Sequence, residues 1–223
     1  MSIRSRRAHR ELHGYLERLY GPQGSLAIRE IVHEGAIRVS LMVSGTTAVR
    51  PDPEDGQTYS GSSIDRYAPG YVALVEKLAA RLVAVRSERY SPGGGLEPQD
   101  QNDAEYELHA DYPQLFPLSC LELGVPWLEL ARAGAEVLRR DDILEGVTSS
   151  QLKQKFASLR WYFDSQPRDF IDQVNVVIGA VEYLSTVVCE TCGAPGKHRR
   201  GGWHVIACDP CSAERDRSRK RGG

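Results

Sequence analysis

At 223 residues, with 41% apolar and 26% charged side chains, the chain is long enough for one sizeable core, or for two small domains with an appendage. No apolar run approaches the roughly 18–20 residues needed to cross a bilayer. The basic start Met1-Ser-Ile-Arg-Ser-Arg-Arg leads into no apolar h-region, which argues against a secretory signal and predicts a cytoplasmic protein. The formal net charge of −2 hides a division, because residues 1–20 are net +3, residues 197–223 are net +5, and the stretch between them is about −10.

In chain order, Leu12, Tyr15, Leu16 and Leu19 form an i, i+3, i+4, i+7 stripe that Gly21-Pro22 terminates, so the first element is a helix. Two β-type runs follow, Ser25–Val32 and Ala36–Val43, joined by His33-Glu34-Gly35 as a hairpin. Residues 44–66, rich in Gly, Ser, Thr, Pro and Asp, read as a long loop. Pro69 opens a second helix with Tyr71, Leu74, Val75, Leu78, Leu82 and Val85 on one side and Glu76, Lys77 and Arg81 on the other. This makes an α+β unit over residues 1–90. The Gly-, Pro- and Asp-rich residues 91–105 read as a linker. They lack the Gly-Lys-Ser/Thr of a phosphate loop.

A second α+β unit is expected over residues 106–188. Pro126 starts a helix through about Arg140, and residues 147–163 read as two strands meeting around Ala157-Ser158. Asp164 or Ser165 can cap a helix over Pro167–Val188, whose Phe170, Val174, Val177, Val181, Leu184 and Val188 keep 4-3-4-3-4 spacing and pack on the strands. Cys120 lies among apolar residues with no activating partner and reads as a buried, inert thiol.

Residues 189–223 carry the chemistry. Cys189-Glu-Thr-Cys192 and Cys208-Asp-Pro-Cys211 are two C-x-x-C hooks separated by fifteen residues, the spacing of a tetrahedral Cys₄ site for one structural Zn²⁺. Gly193 suits a knuckle, His198-Arg199-Arg200 and Trp203–Ala207 suit a hairpin about Gly201-Gly202, and the residues after Cys211 suit a short helix. Knuckle, hairpin and helix make a treble-clef-like module, with a zinc ribbon as the alternative. Four thiolates close the site, which favours a structural role over a catalytic one. His198 and His204 raise the question of a treble-clef nuclease, but Cys211–Arg221 holds no further His or Asn. His9 and His13 stand at i, i+4 without the H-E-x-x-H order, and no G-x-S-x-G, Walker or Rossmann pattern occurs. Enzymatic activity therefore has little support.

Tyr112-Pro-Gln-Leu-Phe116, Gly124-Val-Pro-Trp127-Leu-Glu-Leu130, Gln151–Tyr162, Cys189–Gly196, Gly202-Trp203 and Cys208-Asp209 together resemble a widespread family of small, mostly uncharacterised proteins of tailed bacteriophages and prophages. The resemblance covers about residue 109 to the C-terminus, with Ala157 where the family usually has glycine. It implies phage or prophage origin and residence in the host cytoplasm, and implies no activity.

Two partner classes fit. Arg199, Arg200, Arg215, Arg217, Arg219, Lys220 and Arg221 could meet phosphates while Trp203 stacks on a base, giving nucleic-acid binding. Alternatively the chain is a protein-interaction module for a host factor, with the acidic body or the zinc module as its contact surface. Whichever partner applies, Trp203 reads as a hydrophobic lid on the zinc site in preference to a base-stacking ring, and the arginine tail reads equally as a solvated end. The preferred reading is a non-enzymatic, zinc-stabilised phage accessory or regulatory protein with nucleic acid as its partner.

Overall fold

The computed structural model of the protein describes residues 3–24, 26–32, 39–48, 64–91, 95–165, 168–199 and 203–221. Those residues form a mixed α/β structure of six α-helices and three small sheets.

Helix α1 (Ile3–Tyr20) buries Ala8 and Tyr20 beside the expected Leu12, Tyr15, Leu16 and Leu19, and Gly21 at φ +83° ends it. Strands β1 (Ala27–Val32) and β2 (Val39–Ser44) pair antiparallel from Ala27↔Ser44 to Val32↔Val39. The expected turn at His33-Glu34-Gly35 lies outside the described residues, as does most of the loop expected over 44–66.

Helix α2 (Pro69–Ser87) is the axle of the molecule, with α1, β2, α4 and α5 all packed on it. Because it is enclosed, its burial is not the one-sided stripe expected. Val72, Ala79, Ala80, Val83 and Ala84 are buried along with Tyr71, Val75, Leu78 and Leu82, and so are Glu76 and Arg86.

A single hydrophobic core runs from Ala8 on α1 to Ile206 near the C-terminus, with members on both sides of residues 91–105. Leu96 of that stretch forms a β-bridge with Tyr90, and at Gln101 helix α3 (Gln101–Asp111) begins. The Asp100 carboxylate accepts the Asn102 and Asp103 backbone N–H groups at 2.8 and 3.4 Å. The polar composition that suggests a linker is here an N-cap and a mostly solvated helix that buries only Ala104 and Leu108.

Strand β3 (Leu121–Glu122) runs parallel to β4 (Val147–Gln154), which pairs antiparallel with β5 (Leu159–Ser165), giving the order β3-β4-β5. Helix α4 (Val125–Arg140) has Pro126 in its first turn and buries Trp127, Leu128, Leu130 and Leu138. Helix α5 (Ile171–Ser185) departs from expectation at its start. Strand β5 consumes Asp164 and Ser165, a 3₁₀ turn covers Arg168–Phe170, and Phe170 occupies the N-cap without a side-chain cap bond. Val174, Val177, Val181, Leu184 and Val188 are buried as the spacing requires, whereas Phe170 is 44% exposed.

At the crossing of α4, α5 and β5, a Cβ on Gly134 would meet Val181 Cγ2 at 2.7 Å and the Trp161 ring at 3.0 Å. Both neighbours are buried, so neither can swing away. Gly134→Ala is expected to lower stability by about 1–3 kcal/mol despite alanine's better helix propensity, read from the urea midpoint at unchanged m-value.

Candidate metal centre

After α5 the chain turns through Thr186-Val187, and a Val188↔Pro195 bridge closes the first hook. Inside it the Cys189 N–H donates to the Ala194 carbonyl at 2.9 Å and the Gly193 N–H to the Cys189 carbonyl at 2.8 Å. Gly193 sits at φ +70°, a conformation that costs an L-residue and not glycine. Strands β6 (Lys197–Arg199) and β7 (Val205–Ala207) form the antiparallel hairpin, and the Glu190 carboxylate accepts the Ile206 N–H at 2.8 Å. Cys208 directly precedes helix α6 (Asp209–Arg221), and Cys211 lies in its first turn.

This path brings all four sulfurs within 4.8 Å of one another, with Cys192 Sγ and Cys208 Sγ 3.6 Å apart. Bonds of about 2.3 Å at tetrahedral angles place thiolates about 3.8 Å apart, so the cluster has the right size for one metal ion held by sulfur alone. Hydrogen bonding from Cys192, with backbone N–H donors behind it, pulls the Cys189 thiol well below its ordinary range, and the same contact pushes Cys192 up. Among the described residues no other group of His, Cys, Asp or Glu gathers in this way. Cys120 is buried, and that burial raises its thiol to about 11, consistent with an inert core residue.

The module contributes little core of its own: Cys189, Val205, Ala207 and Cys208 form its buried cluster. Its position on the body is set by Arg86, whose side chain is 0% exposed. Arg86 Nε donates to Glu11 at 3.0 Å, one terminal nitrogen to Glu129 at 2.9 Å, and the other to the Cys192 carbonyl at 2.8 Å. Tyr15 Oη donates to the next carbonyl, that of Gly193. Tyr90 Oη and Arg7 Nε donate to Glu11 at 2.7 and 3.0 Å, and Arg89 Nε donates to Glu129 at 3.0 Å. A Cβ on Gly193 would lie 2.0 Å from the Arg86 guanidinium, so glycine is required there twice over. Burial opposes ionisation of Glu11, but the Arg86 charge and the hydrogen bonds from Arg86, Tyr90 and Arg7 outweigh it and hold the carboxyl below its usual value of 4.5.

The other residues singled out from sequence divide. Arg199 is a structural clamp, donating to the Ala207 carbonyl at 3.1 Å and to Asp209, which Lys197 also approaches at 3.4 Å. Hydrogen bonds from Arg199 and Lys197 in turn lower the Asp209 carboxyl. Arg217 pairs with Glu214 along α6. Arg215 is half-buried, while Arg219, Lys220 and Arg221 are exposed on the last turn. Arg200 lies outside the described residues. Trp203 is 70% exposed and so is not a lid over the cysteines. His198 and His204 stack with centroids 4.9 Å apart, and Nε2 of one meets Nδ1 of the other at 2.8 Å, apart from the sulfur cluster.

Sequence reasoning missed Arg86, Glu11, Glu129 and Tyr15. One signal was available: Arg86 continues the Leu78, Leu82 row at i+4, an apolar face that a cation enters only with partners.

Comparison with protein-family models, with curated proteins and with solved structures finds no match to this chain.

Two outcomes follow from the Arg86 centre. Arg86→Ala removes the cation shared by two buried carboxylates, leaving Glu11 to Arg7 and Tyr90, Glu129 to Arg89, and the Cys192 carbonyl without its guanidinium donor. The substitution should cost about 3–5 kcal/mol of stability, measured by urea unfolding. For Glu11, a folded-state value below the unfolded one means that its stabilisation is complete above about pH 5 and is lost as pH falls through the lowered value. The stability difference between the native chain and Glu11→Gln should therefore shrink between about pH 5 and pH 2, followed by urea midpoints across that range.

Proposed function

We propose that the chain is a zinc-stabilised accessory or regulatory protein of the tailed-phage kind, without a catalytic role, that binds nucleic acid in the host cytoplasm through its C-terminal module. The observation that carries the reading is helix α6. It buries no residue and carries Arg215, Arg217, Arg219, Lys220 and Arg221, the last three exposed on its final turn, beside the cluster of four cysteines. A helix polar on every side gains little from its own chain and is free to meet a partner.

Zinc is the metal this reading assigns, since a closed tetrahedral set of four thiolates is the donor chemistry it favours. Cys189, Cys192, Cys208 and Cys211 would hold it, and its work is to tie the two hooks together. The order of first hook, hairpin β6–β7 and second hook leading into α6 supports a treble clef over a ribbon. The phage assignment rests on the resemblance across residues 109–215. That no helix of the described residues is long and apolar enough to cross a membrane accords with the proposed location.

Purified protein should carry one zinc per chain by elemental analysis. Fluorescence anisotropy on random DNA and RNA should give micromolar binding whose log–log salt slope is roughly −4 to −5 if the five α6 cations all meet phosphates. Between 50 and 200 mM salt that slope weakens binding by about 500-fold. Removal of residues 212–223 should abolish it. Absence of binding tighter than about 100 µM at moderate salt would refute the reading and direct the search to a host protein by pull-down.

A further inference from the structure

We infer that the tip of the β4–β5 hairpin joins the β6–β7 hairpin in a stacking platform for single-stranded nucleic acid. The inference rests on the nucleic-acid reading above and adds a second surface to it.

The tip is a two-residue turn in which the Lys155 N–H donates to the Ser158 carbonyl at 2.8 Å and the Ser158 N–H donates back at 3.2 Å. Its central residues, Phe156 and Ala157, lie at φ +52° and +58°. That geometry suits Asn-Gly, and a bulky side chain in it is an outlier. Ala157 is buried, but Phe156 is 71% exposed, so no burial compensates the benzyl group for its backbone. A strained residue holding an apolar ring in water is a pointer to a site.

The surroundings say what the ring is for. Lys155 Nζ stands 5.6 Å from the Phe156 ring centroid. Lys153 Nζ stands 5.6 Å from that of Tyr162, itself 43% exposed on the outer face of the sheet. Residues 151–162 contain no acidic residue, and of their cations Lys153 and Lys155 lie beside the rings while Arg160 is paired with Glu182 at 3.0 Å. The neighbouring strand carboxylate, Glu122, is engaged by Gln151 at 2.6 Å. Gln154 Nε2 donates to the His204 carbonyl at 2.8 Å, which fixes the two hairpins to each other. Phe156 lies two residues beyond that contact and Trp203 one residue before it. These two are the most exposed of the large apolar side chains among the described residues.

Exposed rings interleaved with lysines match the requirements of an unpaired strand, whose bases offer π-faces and whose phosphates offer charge. A duplex keeps its bases stacked inside and presents no such faces. A protein partner is less well matched, because lysine is depleted from interface centres.

The test uses the full chain with fluorescein-labelled dT20 and a 20-base-pair duplex. Trp127 and Trp161 are 2% and 3% exposed against 70% for Trp203, so quenching of tryptophan emission reports Trp203. Single-stranded DNA should quench it and bind more tightly than the duplex. Phe156→Gly removes the ring at a backbone position that glycine favours, so folding is kept, and affinity for dT20 should fall roughly 5- to 150-fold. Phe156→Tyr should restore it. Wild-type affinity in Phe156→Gly and Trp203→Ala, absence of quenching, or equal binding of the duplex would each overturn the platform. If truncation of residues 212–223 still abolishes binding in that case, the α6 reading stands alone. Failure to bind either nucleic acid overturns both, and capture of a host protein on the Phe156 face would identify the other class of occupant.

Discussion

Arg86 is the residue on which the arrangement of the molecule turns. Its guanidinium, fully out of water, joins α1 through Glu11, α4 through Glu129 and the first cysteine hook through the Cys192 carbonyl. A buried cation needs this completeness, since desolvation costs several kcal/mol per ion and is offset only when each donor finds a partner. Two carboxylates around one arginine would leave excess negative charge, which Arg7 on Glu11 and Arg89 on Glu129 more than offset at the margin. The result is a polar centre inside a hydrophobic core. It ties the hook to α1 and α4 through directional hydrogen bonds.

This centre also explains how a module with so little core can hold a fixed place. Its own buried cluster of Cys189, Val205, Ala207 and Cys208 is too small to fold unaided. Order comes from two directions, the sulfur cluster within the module and the body beneath it. Pro195 against Gly14, where a Cβ would come within 2.7 Å, adds a steric fit to the polar one. Trp127 Nε1, donating to the Val188 carbonyl at 3.1 Å, anchors the segment that leads into the hook. Hook and body are thus one cooperative unit, while α6 projects from it with no buried residue.

What could be read from the chain alone was whatever repeats with a period or a fixed spacing. The stripe of α1, the β4–β5 pair and the four cysteines were legible because each is local. Helix α3 was not, since its polar residues after Asp100 have the composition of a loop and its helicity rests on a cap and two buried side chains. The start of α5 differs from the expectation because Asp164 and Ser165 suit a cap, yet pairing with β4 claims them for a strand. Residues 91–105 read as a linker from their polarity, and chain polarity says nothing of a buried cluster with members on both sides of them. Least legible was the Arg86 centre, whose members at 11, 15, 86 and 129 are brought together only by tertiary packing. The exposure of Trp203 was likewise beyond the sequence, for an aromatic near a metal hook suits a cover as well as a ligand-facing ring.

The body holds the hook through the oxygens of Cys192 and Gly193, which are main-chain atoms. A grip of that kind does not read the exposed Thr191 side chain, and asks of the hook its trace, its glycine and the fit of Pro195 against Gly14. Side chains on the outward surface of the tail can therefore be changed with the mounting left as it is, as a tool head is exchanged on an unchanged shank.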